Sequence, residues 1–133
     1  MHDATIQARE NTIKNMSFLV FEDNTMNQKL IKNRLDFWEC TNYVTDSIEF
    51  GLSLLEKEKI DVILMDLRMP DINGFDVAKI IRKNPRASIS SIPIIALTAD
   101  FSIKDKKRCD ESGINDYILK PFDSKELLKK LTS

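Results

Sequence analysis

The sequence predicts an α/β domain on a parallel sheet, with strand and helix alternating five times, (βα)5. Four short apolar runs, Phe18 to Phe21, Val62 to Met65, Ile92 to Leu97 and Tyr117 to Leu119, are continuous rather than alternating, as in strands buried on both faces. The stretches between them carry apolar residues at helical spacing, the pattern of βαβ units. The length, 133 residues, is that of one module with one core and leaves no room for a separate effector domain.

Residues 1–16 are mostly polar and read as a linker or N-terminal extension, or a frayed helix outside the core; the domain proper spans 17–133. After the first apolar run, Leu30, Ile31, Leu35 and Trp38 form one helical stripe. The segment Cys40 to Thr45, centred on Tyr43 and Val44, is shorter and more polar, as expected of an edge strand. Ile48, Leu52 and Leu55 form a second stripe, with Ser47 in the N-cap position. Phe75, Ala78 and Ile81 make a third. Leu127, Leu128 and Leu131 make the last, with Ser124 as its N-cap. The four continuous runs read as the central strands. Residues Ser102 to Ser112 are almost wholly polar, with Ile103 and Cys109 as apolar anchors and Gly113 as a left-handed stop, so a weakly docked helix is expected there. Its Lys104, Lys106, Lys107 and Arg108 read as a solvated face.

With 42% hydrophobic and 31% charged residues the chain has the composition of a soluble globular protein, and no apolar run approaches the ~20 residues of a membrane span. Lysine plus arginine (20) nearly balances aspartate plus glutamate (21), which argues against direct nucleic-acid binding. Cys40 and Cys109 are far apart, which fits reduced, buried thiols in a cytoplasmic protein better than a disulfide or zinc site. His2 has no metal-ligand neighbours and is assigned no role.

Ligands of an open parallel sheet bind where the loops converge beyond the carboxyl ends of the strands. Glu22 and Asp23 follow the first strand, Asp66 the third, Thr98 the fourth and Lys120 the fifth, with Pro121 next. Converging carboxylates repel by roughly 4 kcal/mol per pair at ~4 Å and an effective dielectric of 20, so a proton or a cation must sit among them. Mg2+, a hard ion that takes carboxylates, waters and a phosphate oxygen, answers this requirement. Asp66, following the most apolar strand, is the candidate nucleophile toward phosphorus. Lys120 and the Thr98 hydroxyl would meet the transferring group. Taken singly, the acidic pair reads as a turn or cap, the threonine as structural and the Lys-Pro step as a loop; their order along the strand ends carries the inference.

The stretches FLVFEDN, VILMDLRMPDINGFD, PIIALTA and DYILKPF, in that order, resemble the receiver domains of two-component signalling. The likeness runs from about Ser17 to the C-terminus. It implies a flavodoxin-like three-layer sandwich with a parallel sheet of order 2-1-3-4-5. It implies that Asp66 is the phosphoacceptor, that Asp23, Asp66 and the Arg68 backbone carbonyl bind Mg2+ directly, and that Glu22, aspartate in many members, binds it through water. Thr98 and Tyr117 match the switch pair, in which the hydroxyl moves toward the phosphoryl group and the ring turns inward. Lys120 matches the phosphate-contacting lysine, and its bond to Pro121 is expected to be cis. Ala99 is small and leaves the phosphoryl group open to a donor histidine or a phosphatase. Arg68 and Asp100 flank the site with opposite charges, and a contact between them would hinder the hydrolytic water.

The resemblance further implies a phosphoacceptor rather than an enzyme, one that can catalyse its own phosphorylation and dephosphorylation. Its partners would be a histidine kinase or histidine phosphotransfer domain and a downstream target or covalently linked module. A monomer or weak dimer is expected. The polar start and the wording FEDNTMNQ lean toward a module of a hybrid histidine kinase rather than a freestanding regulator. Three other readings compete. A haloacid-dehalogenase-like phosphatase needs an acid where Arg68 stands. A flavin- or nucleotide-binding flavodoxin relative needs clustered glycines, and the chain has only three. A pseudo-receiver would lack one of the required side chains, all of which are present.

Overall fold

The three central strands of the sheet bury both of their faces, and this sets the architecture. A computed structural model describes residues 4–70 and 72–132; His2 lies outside the described residues. In chain order the elements are α1 (Ala4–Ile13), β1 (Ser17–Phe21), α2 (Thr25–Phe37), β2 (Thr41–Thr45), α3 (Ile48–Lys57) and β3 (Val62–Asp66). There follow α4 (Gly74–Arg82), a short α5 (Ala87–Ser90), β4 (Ile94–Thr98), α6 (Ile103–Ser112), β5 (Asp116–Leu119) and α7 (Ser124–Leu131). All strand pairs are parallel and the order is β2-β1-β3-β4-β5, the order the resemblance implied.

Successive side chains of a strand point to opposite faces, and the two cores divide accordingly. Phe18 and Val20 join Ile31, Leu35, Leu127, Leu128 and Leu131 on the face covered by α1, α2 and α7. Leu19 and Phe21 join Leu54, Leu55, Phe75, Ala78 and Ile81 on the face covered by α3, α4, α5 and α6. Along β1, β3 and β4 water meets neither face, so these strands need no polar alternation and their continuous apolar runs follow directly; β2 and β5, at the sheet edges, stay partly exposed.

Several sequence expectations change. The stretch before Ser17 does not lie wholly outside the core: Ile13 is 0% exposed, and the Arg9 guanidinium donates to the Thr132 hydroxyl at 2.8 Å, fastening α1 beside α7. Leu30, assigned to the buried stripe of α2, is 57% exposed, because the helix turns only Ile31 and Leu35 fully inward. The last apolar run is an edge strand rather than a central one, with Leu119 42% exposed. The N-cap of α7 is Asp123, whose side chain accepts from the Glu126 backbone N–H; Ser124 is the first helical residue. The expected caps Ser47 and Gly113 (φ 82°) are in place.

In α6, Ile103 is 91% exposed and anchors nothing, leaving Cys109 as the buried apolar contact. The helix is held instead by a Ser102–Asp105 capping box and by the Arg108 guanidinium, 4.1 Å above the Phe75 ring. Both cysteines are buried, and burial pushes each thiol up to about 11, which keeps them protonated at neutral pH.

Candidate functional site

Beyond the carboxyl ends of β1, β3, β4 and β5 the chain turns through short loops, and the sheet register decides what meets there. Phe21 pairs with Met65 across β1 and β3, so the residues that follow them, Glu22, Asp23 and Asp66, emerge side by side. Carboxylate oxygens of these three lie within 4.8 Å of one another. The Glu22 backbone N–H donates to the Thr45 carbonyl at 3.0 Å, carrying the β1–β2 ladder one step past β1. On the other side of the same turn, the Gln28 amide donates to the Glu22 carbonyl at 2.6 Å and ties α2 to it. Asn24 caps α2 by accepting from the Asn27 N–H.

Lys120 comes from two strands away. Its backbone N–H donates to the Thr98 carbonyl at 2.7 Å, and the following peptide bond to Pro121 is cis, as expected. From there the long side chain crosses to the acidic group, with its ammonium 2.9 and 3.0 Å from the two oxygens of Glu22 and 3.3 Å from Asp66 Oδ2. The longer arm of glutamate therefore serves first to meet Lys120. The other oxygen of Asp66, Oδ1, accepts the Arg68 backbone N–H at 2.9 Å, so the carboxylate is oriented from both sides.

The charge at this point is unbalanced. Glu22 is 1% exposed and Asp66 5%, and among the described residues three carboxylates face a single ammonium. Burial holds the Asp66 carboxyl above its ordinary range and the neighbouring Glu22 adds to this, while the Arg68 N–H and Lys120 pull the other way. A group of oxygens at this spacing with surplus negative charge suits a hard divalent cation, which would take up the charge that the lysine leaves.

The remaining expected residues frame this group. Thr98 is buried, and its hydroxyl donates to the Asp100 carbonyl at 2.7 Å, toward its own loop. Tyr117, half-buried on β5, stacks on Phe101 with ring centroids 3.8 Å apart and planes 8° from parallel. The Arg68 guanidinium meets the Asp100 carboxylate at 2.6 Å. Ala99 is exposed. Arg68 also forms an isolated antiparallel bridge with Asn73, which folds the loop after β3 back on itself. That fold brings Gly74 so close that a Cβ there would lie 2.8 Å from the Asp66 carbonyl, so the start of α4 presses directly on the strand end.

Sequence reasoning missed Gln28, Phe101 and Gly74. The glycine stood in a quoted motif and an approach of helix to strand could have been read from it; for the other two, no pattern marks a partner distant in the chain.

The sequence model of the response regulator receiver domain matches residues 18–132. The chain belongs to this family. Such receiver domains accept a phosphoryl group on aspartate in two-component signalling. The heme response regulator HssR of Staphylococcus aureus (strain Newman) is 33% identical over 113 residues, covering 85% of this chain and 48% of HssR, so the receiver spans about half the length of such relatives. The receiver domain of sensor histidine kinase PA1611 from Pseudomonas aeruginosa PAO1, solved with a magnesium ion in its active site cleft, is 32% identical with a TM-score of 0.77, over 88% of this chain and 94% of that one. A chain in the co-crystal of the Saccharomyces cerevisiae phosphotransfer protein Ypd1 with the receiver domain of Ssk1 is 30% identical with a TM-score of 0.79, over 90% and 88%. No helix among the described residues is long and apolar enough to cross a membrane.

Proposed function

We propose that this receiver domain takes a phosphoryl group from a phosphohistidine onto Asp66 and that the Thr98 and Tyr117 region changes state in response. A carboxylate oxygen of Asp66 attacks phosphorus, the phosphorus–nitrogen bond breaks, and its electron pair returns to the donor imidazole. The observation that carries this reading is the gathering of Glu22, Asp23, Asp66 and Lys120 from separate strand ends into one group around the buried Asp66 carboxylate.

Asp23, Asp66 and the Arg68 backbone carbonyl would hold Mg2+, with Glu22 contributing through water; the magnesium of the PA1611 receiver and the charge imbalance here support this assignment. When bound, the ion supplies positive charge opposite the phosphoryl oxygens. Lys120 turns from Glu22 to a phosphoryl oxygen, and the Thr98 hydroxyl, released from Asp100, donates to another. The open side at Ala99 admits the donor. The same arrangement lets the domain promote phosphorylation from small phosphodonors and its own dephosphorylation.

The donor is the histidine of a kinase or phosphotransfer protein, a reading supported by the likeness to the receiver crystallised with Ypd1. The likeness to the PA1611 receiver, part of a sensor histidine kinase, supports reading the chain as a module of a hybrid kinase; we assign residues 17–133 to the receiver and 1–16 to its extension and place the module in the cytoplasm. Beryllofluoride, a phosphoryl mimic, tests the site directly: with Mg2+ it should bind wild type and fail to bind Asp66→Asn. Failure of the wild type to take it up would refute the assignment.

A further inference from the structure

The segment Thr98 to Phe101 is tied down at three points. The Thr98 hydroxyl donates to the Asp100 carbonyl, the Asp100 carboxylate accepts from Arg68, and the Phe101 ring lies flat on Tyr117. Tyr117 is held from a second side by the Lys130 ammonium, 5.1 Å from its ring centroid. Lys130 in turn bonds Asp116 at 3.0 Å.

From this geometry we infer that Phe101 is a positioning residue of the switch, the part that makes Thr98 and Tyr117 move together; the inference rests on the assignment of those two residues as the switch pair. A hydroxyl has one proton to donate, so Thr98 cannot serve a phosphoryl oxygen until it lets go of the Asp100 carbonyl. That release removes one of the three ties on the segment carrying Phe101. Tyr117 cannot turn inward without sliding from beneath the same ring, which re-exposes one face of each ring to water. Each movement thus lowers the cost of the other, and Phe101, with no atom in the acidic group, is the physical link. The stack favours the resting arrangement, so only a fraction of unphosphorylated molecules offers the binding-competent one. The apparent affinity for a phosphoryl mimic is reduced by that fraction.

Removing the stack should therefore tighten beryllofluoride binding by about three- to tenfold, the factor that corresponds to a typical aromatic pair. The variants are Phe101→Leu, which keeps an apolar side chain, and Phe101→Tyr, which keeps the stack. The chain has only two tyrosines, Tyr43 and Tyr117, so their ring signals are readily told apart by NMR. In metal-free Phe101→Leu the Tyr117 ring protons should lose their stacking shift. With Mg2+ the same variant should bind beryllofluoride more tightly than wild type, while its affinity for Mg2+ alone stays unchanged and Phe101→Tyr behaves as wild type. In a Tyr117→Ala background the Phe101→Leu gain should disappear. Equal beryllofluoride affinity in wild type and Phe101→Leu would overturn the positioning role while leaving the Asp66 assignment intact. Absence of binding to wild type would remove both.

Discussion

The Arg68 guanidinium and the Asp100 carboxylate meet at 2.6 Å, bridging the loop after β3 to the loop after β4, although both side chains are more than half exposed. An exposed pair of this kind adds little to stability, about 0–1 kcal/mol. Its position two residues from Asp66 and two from Thr98 leads us to propose another use, as a bar to the water that would hydrolyse an aspartyl-phosphate. Arg68→Ala should speed phosphate loss several-fold while shifting unfolding by no more than about 1 kcal/mol. Timed phosphate release beside a denaturant titration checks both, and an unchanged release rate disposes of the idea.

Lys120 is the cation that both oxygens of the buried Glu22 accept from. Lys120→Met would leave that carboxylate buried with no ammonium beside it, at a cost of about 3 kcal/mol in unfolding free energy. Adding Glu22→Gln should restore a large part of the loss, since the stranded charge is then gone. If the double variant is no more stable than the single one, the ammonium's stabilising role lies elsewhere.

Asp66 makes stability depend on pH in a stated direction. Its folded-state pKa is raised above the ordinary 3.8, chiefly by burial, so the folded chain holds this proton more tightly than the unfolded one. The resulting stabilisation is full below 3.8 and is lost as pH rises through the raised value. With chelator present, Asp66→Asn should be more stable than wild type above that window, and the gap should close on acidification below it. Urea titrations at several pH values measure this, and a gap that widens toward acid would contradict the stated sign.

What the sequence made legible follows from which physical signals are local. Burial on both faces writes itself into continuous apolar runs, so β1, β3 and β4 could be read directly, and chemistry at the strand ends followed from parallel topology. The helix surfaces were harder, because a stripe drawn by spacing does not say how far a helix rolls. Leu30, which spacing puts in the buried stripe of α2, faces water, as does Ile103, expected from its apolar side chain to anchor α6. Contacts between distant segments left no local trace. Arg82 is an example: its guanidinium donates to the carbonyls of Gly113, Ser90 and Ile92 and to the Asn115 side chain, joining the end of α4 to the α5–β4 and α6–β5 connections, yet in the sequence it is one arginine at a helix end. The Phe101–Tyr117 stack and the buried end of α1 at Ile13 were hidden for the same reason.

The most direct test of the account is the intact mass of the protein after incubation with acetyl phosphate and Mg2+. Wild type should gain one phosphoryl group, lost again on alkaline treatment, whereas Asp66→Asn and wild type without Mg2+ should gain none. A phosphoryl group that still appears on Asp66→Asn, or a wild type that never acquires one, would contradict the role given to Asp66.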